Sequence, residues 1–147
     1  MSSVLEDVEA IKKLKFQYAE ACDELFKSIH NVVPFSKVFT KDIVWDGAAF
    51  GRHEGCKQVK KFFEGVATQF TFSVYFFTNP SIKVEGDKAR GRWYLLAMFT
   101  QPGGRDMLLA GIEDDKYEKV NGQWLMTDMK LTPVFFAPHD EGWHKKW

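Results

Sequence analysis

The chain has 147 residues, and 20 basic side chains balance 20 acidic ones, so its formal net charge at pH 7 is zero. A chain of this length fits one domain, and we expect residues 1–147 to form one. Balanced charge without a basic stripe argues against nucleic-acid binding. No apolar run reaches membrane-spanning length and no signal-like segment opens the chain, which predicts a cytoplasmic protein that does not bind membranes.

Aromatic residues make up 16% of the sequence, including 14 Phe and 5 Trp. This content suits a protein whose interior encloses an apolar cavity. Cys22 and Cys56 have neither the spacing of metal ligands nor that of a disulfide framework. Zinc, phosphate-loop and nucleophile-elbow motifs are missing from the sequence as well. We therefore expect no metal and no cofactor.

Apolar residues recur every three to four positions between residues 5 and 29, which predicts a long amphipathic helix. Phe16 and Asp23 fall on one stripe of this helix, together with Ala19 and Phe26. A carboxylate at that place is either solvated at the helix edge or buried in a pocket. Burial would raise the pKa of the carboxylate and suit it to act as a base.

The remaining chain predicts a helix followed only by strands. Residues 41–55 are typical of a strand with a turn, and residues 56–70 return to the helical period. Beyond them the pattern is extended, and strands at 107–120 and 123–136 are joined by the hairpin signal Asn121-Gly122. Helices first and antiparallel strands after them predict an α+β domain, with helices packed on one face of a curved sheet.

The predicted strand from residue 90 to residue 99 is apolar on both faces. One face carries Trp93, Leu95, Ala97 and Phe99, and the other carries Tyr94, Leu96 and Met98. Both faces should be covered, because large apolar surfaces are seldom left in water. One face would contact the helices or a cavity, and the other a second subunit. We therefore expect a homodimer.

Three segments together resemble a known family. VEAIKKLKFQYAEACD, ARGRWYLLAMF and DDKYEKVNGQWLM resemble the SnoaL-like branch of the nuclear transport factor 2-like superfamily. Within it the chain is similar to the bile-acid 7α-dehydratase type and, more distantly, to hexachlorocyclohexane dehydrochlorinase and scytalone dehydratase. The resemblance implies a cone-shaped fold in which a curved antiparallel sheet wraps around a long N-terminal helix and encloses an apolar pocket. This fold hosts enzymes and binding modules alike.

The resemblance also implies positions for the site. Related enzymes use a His–Asp pair, in which the His takes a proton and the Asp holds the His in the right tautomer. Asp23 matches the family Asp, and Tyr18 matches a pocket Tyr of the bile-acid dehydratase type. The place of the His is occupied by Tyr75, that of a pocket Tyr by Glu113, and a late-strand Arg falls near Pro133.

Two of these positions allow two interpretations each. Tyr75 either fills space or donates a hydrogen bond to a substrate oxygen together with Tyr18. Glu113 opens an acidic run that is either a solvated face or, by strand alternation, directed into the pocket opposite Asp23. Two carboxylates in one cavity would push one pKa upward and supply both an acid and a base.

The sequence thus leaves two hypotheses. In the first, the protein is a cofactor-independent lyase or isomerase of an apolar, cyclic substrate, with Asp23 as the base, Tyr18 and Tyr75 as donors and Glu113 as a second acid. Residues expected to bind the substrate are Trp45, Phe16, Phe77 and Asn79. In the second, it is a non-catalytic binding module or dimeric scaffold that has lost the family His.

Overall fold

The computed structural model describes residues 2–23 and 32–142. Within these residues lie the α-helices α1 (Val4–Cys22) and α2 (Cys56–Ala67) and two short 3-10 turns, Phe35–Lys37 and Ala48–Phe50. The six strands are β1 (Phe39–Asp46), β2 (Arg52–Glu54), β3 (Phe72–Glu85), β4 (Lys88–Thr100), β5 (Asp106–Val120) and β6 (Gln123–Pro138). The α+β class predicted from the order of periodicities is confirmed.

Helix α1 has a well-defined start. The Ser3 side chain accepts a hydrogen bond from the Glu6 backbone N–H, and the Glu6 side chain accepts one from the Ser3 N–H. This reciprocal pair satisfies two amide groups that a helix start otherwise leaves open. The helix ends at Cys22, where Asp23 turns to an extended conformation. It is therefore shorter than the predicted 5–29, and Phe26 lies outside the described residues.

The strands form one curved sheet in the order β2-β1-β6-β5-β4-β3. Neighbouring strands are antiparallel except β1 and β6, which pair in parallel through residues such as Trp45 and Met129. The predicted curved sheet is confirmed, and this one parallel pair departs from its otherwise antiparallel pairing. Hairpin signals could not reveal this parallel pair, because they specify only strands adjacent in the sequence, whereas β1 and β6 lie far apart in the chain.

The core-facing side of α1 differs from the stripe predicted to carry Phe16 and Asp23. Helix α1 packs against β3 and β6. Its buried side carries Ile11, Leu14, Lys15, Tyr18, Ala21 and Cys22. Phe16 lies at the margin, 46% exposed, with its ring 6.0 Å from that of Trp93.

In the described part of the chain, no helix is long and apolar enough to cross a membrane.

Strand β4 alternates as predicted. Its inward side chains are Trp93, Leu95, Ala97 and Phe99, all buried. Its outward side chains Tyr94, Leu96 and Met98 join Phe72 and Phe76 of β3 in an exposed group, here called the outer apolar face. Tyr94 is 50% exposed within it. Whether a second subunit covers this face stays a prediction.

Candidate functional site

A cavity of about 350 Å³ lies between the two helices and the inner face of the sheet. Its volume falls within the range of small-molecule sites. Most of its walls are aromatic: Tyr18, Trp45, Phe50, Phe62, Phe63, Phe70, Tyr75, Phe77, Phe99 and Phe136. Val66, Leu95, Leu109 and Leu131 add aliphatic surface, and Gln69, Gln101 and Glu113 are its other polar members. Such walls favour a flat, apolar ligand with few polar groups.

Two tyrosines contribute hydroxyl groups to this cavity. Burial raises the pKa of Tyr18 well above its usual value, and the charge of Glu113 raises it further. Burial likewise raises the pKa of Tyr75, and Cys22, Asp23 and Glu113 add to the effect. Both phenols therefore stay protonated around neutral pH and can donate hydrogen bonds. Their shared sensitivity to Glu113 places the three groups in electrostatic reach of one another.

Glu113 is the only carboxylate among the described residues that line the cavity. It points inward because β5 alternates, with Trp93 and Leu131 as its partners on the neighbouring strands. The side chain is 2% exposed, so the pocket interpretation of the acidic run fits and the solvated one does not. Burial raises the pKa of Glu113 to about 7, against the lowering effect of Lys15 and with a further raising effect of Asp115.

The two oxygens of Glu113 have different surroundings. Oε2 accepts a hydrogen bond from Lys15 Nζ. Within residues 2–23 and 32–142 the second oxygen, Oε1, receives no hydrogen bond. Because Glu113 lines the cavity, this oxygen is available to a water molecule or a ligand there. The cavity therefore offers one carboxylate oxygen to its occupant.

Lys15 is the residue that sequence reasoning missed. It is fully buried on α1, with Nζ 2.7 Å from Asp115 Oδ2 and 4.1 Å from the centre of the Phe77 ring. Burial alone would lower its pKa, but the charges of Asp115 and Glu113 outweigh burial and raise it. Lys15 is therefore a permanent cation behind the cavity. The available signal was its place on an apolar stripe, four residues after Ile11.

Asp23 is buried, only 3% exposed, at the end of α1. Its backbone N–H bonds to the Ala19 and Glu20 carbonyls. This fits the buried interpretation of Asp23 rather than a solvated helix edge. Its charge contributes to the raised pKa of Tyr75, but Asp23 itself is not among the residues that line the cavity. Its predicted role as the base stays a prediction.

The structure divides the four residues expected to bind substrate. Trp45 and Phe77 line the cavity, whereas Phe16 and Asn79 do not. Phe16 is turned toward the helix margin. Asn79 is exposed with φ 54°, at an irregularity of β3 where the pairing register with β4 shifts between Thr78 and Ser81. This bulge breaks the two-residue alternation that would have turned Asn79 to the same side as Phe77, so the expectation that Asn79 lines the cavity is corrected.

The indole N–H of Trp45 is a further polar group beside the cavity. In the described part of the chain its indole Nε1 is buried and finds no acceptor of good geometry. It still lies near enough to the Tyr18 hydroxyl to lower the pKa of that group, an effect smaller than the rise that burial causes. No cluster of three or more His, Cys, Asp or Glu residues that could hold a metal ion occurs within residues 2–23 and 32–142.

Comparison with known proteins shows the family and the fold of the chain. The SnoaL-like domain profile matches residues 3–130. A hexachlorocyclohexane dehydrochlorinase of type 2 superposes with a TM-score of 0.80 at 20% identity, covering 91% of this chain and 89% of that one. A provisionally named scytalone dehydratase from Novosphingobium aromaticivorans gives a TM-score of 0.75 at 25% identity, with coverages of 90% and 87%. A nuclear transport factor 2-like protein from Salmonella enterica gives 0.74 at 15% identity, with coverages of 92% and 96%.

Proposed function

The chain belongs to the SnoaL-like family, and we propose that it is a small-molecule pocket protein that acts on an apolar, cyclic substrate by acid–base proton transfer, as a cofactor-independent lyase or isomerase. One observation carries this proposal. A mainly aromatic cavity contains a carboxylate with a pKa of about 7 together with two protonated phenols. A general base works best when its pKa lies near the working pH.

The chemistry follows from where these groups lie. A ring with a carbonyl group would pack among the aromatic walls and accept hydrogen bonds from Tyr18 and Tyr75. Glu113 would take a proton from the carbon next to the carbonyl, and the electrons of the broken C–H bond would move onto the oxygen. Because both phenols keep their protons, they can stabilise that negative charge. The same three roles serve two reactions, which differ in the fate of the proton.

In an isomerisation, Glu113 would return the proton to a different carbon of the substrate. In a dehydration, it would pass the proton to a departing hydroxyl group, which leaves as water. Either way Glu113 ends in its starting state and no cofactor is consumed. The names of two structural relatives, a dehydrochlorinase and a dehydratase, support elimination as the reaction class.

Asp23 remains a second candidate for the base. It is buried, and its charge reaches Tyr75. Glu113 is favoured over it because Glu113 lines the cavity and has an oxygen open toward the occupant. The two assignments are separable by substitution, because Glu113→Gln and Asp23→Asn each remove one base and keep the shape of the side chain.

The alternative function is binding without turnover. It is favoured by Tyr75, which the family resemblance places where related enzymes have a His, and by the lack of any histidine among the described lining residues. Imidazole is the usual group for moving a proton at neutral pH. The titratable groups among the described lining residues are two phenols and one carboxylate, and a cavity of this kind could bind the same ligand without moving a proton.

The test uses ketosteroids and cyclic hydroxyketones in D₂O, followed by proton NMR. Loss of the signal from hydrogens next to the carbonyl reports proton abstraction even when no product accumulates. We expect exchange faster than in buffer alone, and a loss of about 100-fold or more in Glu113→Gln. Glu118→Gln is the matched control, because Glu118 lies on the same strand and is exposed.

The outcomes separate the candidates. Binding of a ketone without exchange supports the binding module and rejects the enzyme. Equal exchange in Glu113→Gln with a loss in Asp23→Asn moves the base to Asp23, and equal exchange in Asp23→Asn removes Asp23 from the mechanism. Neither binding nor exchange with any member of the panel rejects this substrate class.

A further inference from the structure

A buried charge network lies directly behind the polar end of the cavity. Lys15 on α1 donates hydrogen bonds to Glu113 Oε2 and to Asp115 Oδ2, the latter at 2.7 Å. The Tyr117 hydroxyl donates to the same Asp115 oxygen at 2.8 Å, and Trp93 Nε1 donates to the Tyr117 oxygen at 3.0 Å. The side chains of Lys15 and Asp115 are fully buried. The network therefore holds its charges away from bulk water.

The charges in this network do not balance. One ammonium group faces two carboxylates, so full ionisation would leave an uncompensated negative charge in the interior. Such a charge is costly, and the usual remedy is that one carboxylate keeps its proton. The two carboxylates therefore hold one proton between them while Lys15 is charged.

The two carboxylates are not equivalent hosts for that proton. Burial raises the pKa of Asp115, but Asp115 receives hydrogen bonds from both Lys15 and Tyr117, which stabilise its ionised form. Glu113 receives one, from Lys15, and lines the cavity. The titratable or charged groups in reach of Glu113 are Lys15 and Tyr18 from α1, Tyr75 from β3, and Asp115 and Tyr117 from β5. The lowering influence on Glu113 comes from Lys15, and Asp115 opposes it.

We propose that Glu113 and Asp115 share a single proton beside the Lys15 cation, and that Lys15 and Asp115 are positioning residues that hold this proton at Glu113, ready for exchange with the occupant of the cavity. The functional part of this proposal rests on the proposed function of the cavity. With the proton, Glu113 Oε1 donates to a ligand oxygen. Without it, the same atom accepts a proton from a ligand carbon, whose bonding electrons move onto the ligand oxygen.

Lys15 lowers the pKa of Glu113 and Asp115 raises it, and this balance keeps both the protonated and the ionised form of Glu113 accessible. Removing the cation should fix the proton on Glu113, because burial and Asp115 then act unopposed. Removing the charge of Asp115 should lower the pKa of Glu113 and release the proton, because the ammonium group of Lys15 then faces a single carboxylate. The two substitutions must therefore shift the titration of Glu113 in opposite directions. Loss of packing alone gives no reason for opposite signs.

The experiment is a pH titration of the Glu113 carboxyl carbon by ¹³C NMR in the full chain, without ligand. The wild type should titrate near pH 7. Asp115→Asn should lower the midpoint by about one unit or more, and Lys15→Met should raise it by about one unit or more. Midpoints that move in the same direction, or that stay within about 0.3 units of the wild type, would overturn the proposal.

Matched controls come from the same elements. Asp114→Asn removes the neighbouring carboxylate on the opposite, outward side of β5, where Asp114 pairs with Arg92. Lys13→Met removes an exposed cation from α1. Both should leave the Glu113 midpoint in place. If Lys15→Met does not fold, Asp115→Asn decides alone, since a midpoint that fails to fall rejects the shared proton.

This titration is independent of the ketone assay. Opposite shifts without proton exchange into any ketone would keep the shared proton and reject the proposed function. Ketone exchange that depends on Glu113, with a midpoint unmoved in both variants, would keep the function and reject the shared proton.

Discussion

Lys15 and Glu113 lie 98 positions apart in the chain and form an ion pair inside the protein, with neither side chain more than 2% exposed. The pair joins the middle of α1 to the middle of β5. A buried pair of this kind is weak evidence for stability in itself, because both partners lose their hydration. Breaking it from one side is a different matter, because the remaining charge stays buried without compensation.

We therefore expect Lys15→Met to destabilise the protein by about 3–5 kcal/mol at pH 7. Methionine fills similar space, so the loss reflects the proton that Glu113 must take up and the charge of Asp115 left without a cation, rather than a cavity. The loss should shrink toward pH 5, where those carboxylates can be neutral. Urea unfolding at both pH values measures it, with Lys13→Met as the control, expected within about 0.5 kcal/mol of wild type. A loss below about 1 kcal/mol at pH 7 would contradict the prediction.

Glu113 should also give the protein a characteristic pH dependence. Its pKa in the folded state, about 7, is above the ordinary value of 4.5. The folded state therefore binds the proton more tightly, and this contribution favours folding at low pH and is lost as the pH rises from about 4.5 to 7. The free energy of unfolding of the wild type minus that of Glu113→Gln should fall over this window. A difference that rises with pH would show that the pKa is depressed instead.

Gly47 controls the position of a cavity wall. A Cβ at this position would lie 2.2 Å from a ring carbon of Trp45, which lines the cavity. Gly47→Ala must displace the indole, and we expect a loss of about 1–3 kcal/mol. Gly65→Ala on α2 meets no atom within 4 Å, and we expect a gain of about 0.5–1 kcal/mol from helix propensity. Thermal unfolding of both variants compares them, and equal signs would contradict the prediction.

Asp7 links the start of α1 to the β5–β6 hairpin. Its Oδ1 accepts hydrogen bonds from Trp124 at 2.9 Å and Ser2 at 2.7 Å, and it pairs with Lys119 at 2.7 Å. These partners, Lys119 first, lower the pKa of Asp7 to about 2. The stabilising contribution of Asp7 is therefore present above about pH 4 and is lost as the pH falls toward 2.

The corresponding variant is Lys119→Met, which should raise the pKa of Asp7 toward its usual value of 3.8. Carboxyl-carbon NMR measures this shift directly. Lys116→Met is the control, because Lys116 lies on the same strand and is exposed. An Asp7 pKa unchanged by the loss of Lys119 would mean that Trp124 and Ser2 hold it down by themselves.

The sequence predicted β5 better than it predicted α1. The bounds of the strand were predicted closely, and its two-residue period left two choices for Glu113, a solvated face or the pocket, of which the structure has the inward one. Lys15 escaped because an isolated Lys is almost never fully buried, and its partners are distant in sequence. Asn79 was misplaced because a bulge breaks the alternation without a clear sequence signal. Local periodicity is readable from the chain, whereas contacts between distant segments require the folded structure.

The outer apolar face gives the last prediction. We propose that a second copy of the chain covers it, as its composition predicts. The face includes Phe76, Tyr94, Leu96 and Met98, each between 38% and 50% exposed. Leu96→Glu should convert a dimer to a monomer in sedimentation analysis, because burying an unpaired carboxylate in an interface is costly. Lys83→Glu, exposed at the far end of β3, is the control. A wild type that is already monomeric rejects the proposed dimer.

The inward side chains of β5 also act on the folding of the sheet. A slip of one residue would turn Glu113, Asp115 and Tyr117 out into water. The same slip would turn Asp114, Lys116 and Glu118 into the core and separate Asp114 from Arg92, so three further charged side chains would have to be buried beside Lys15. Many apolar strands can slide without a large electrostatic penalty, but this one cannot. The buried charges therefore favour one register of β5, because this register pairs Lys15 with both Glu113 and Asp115.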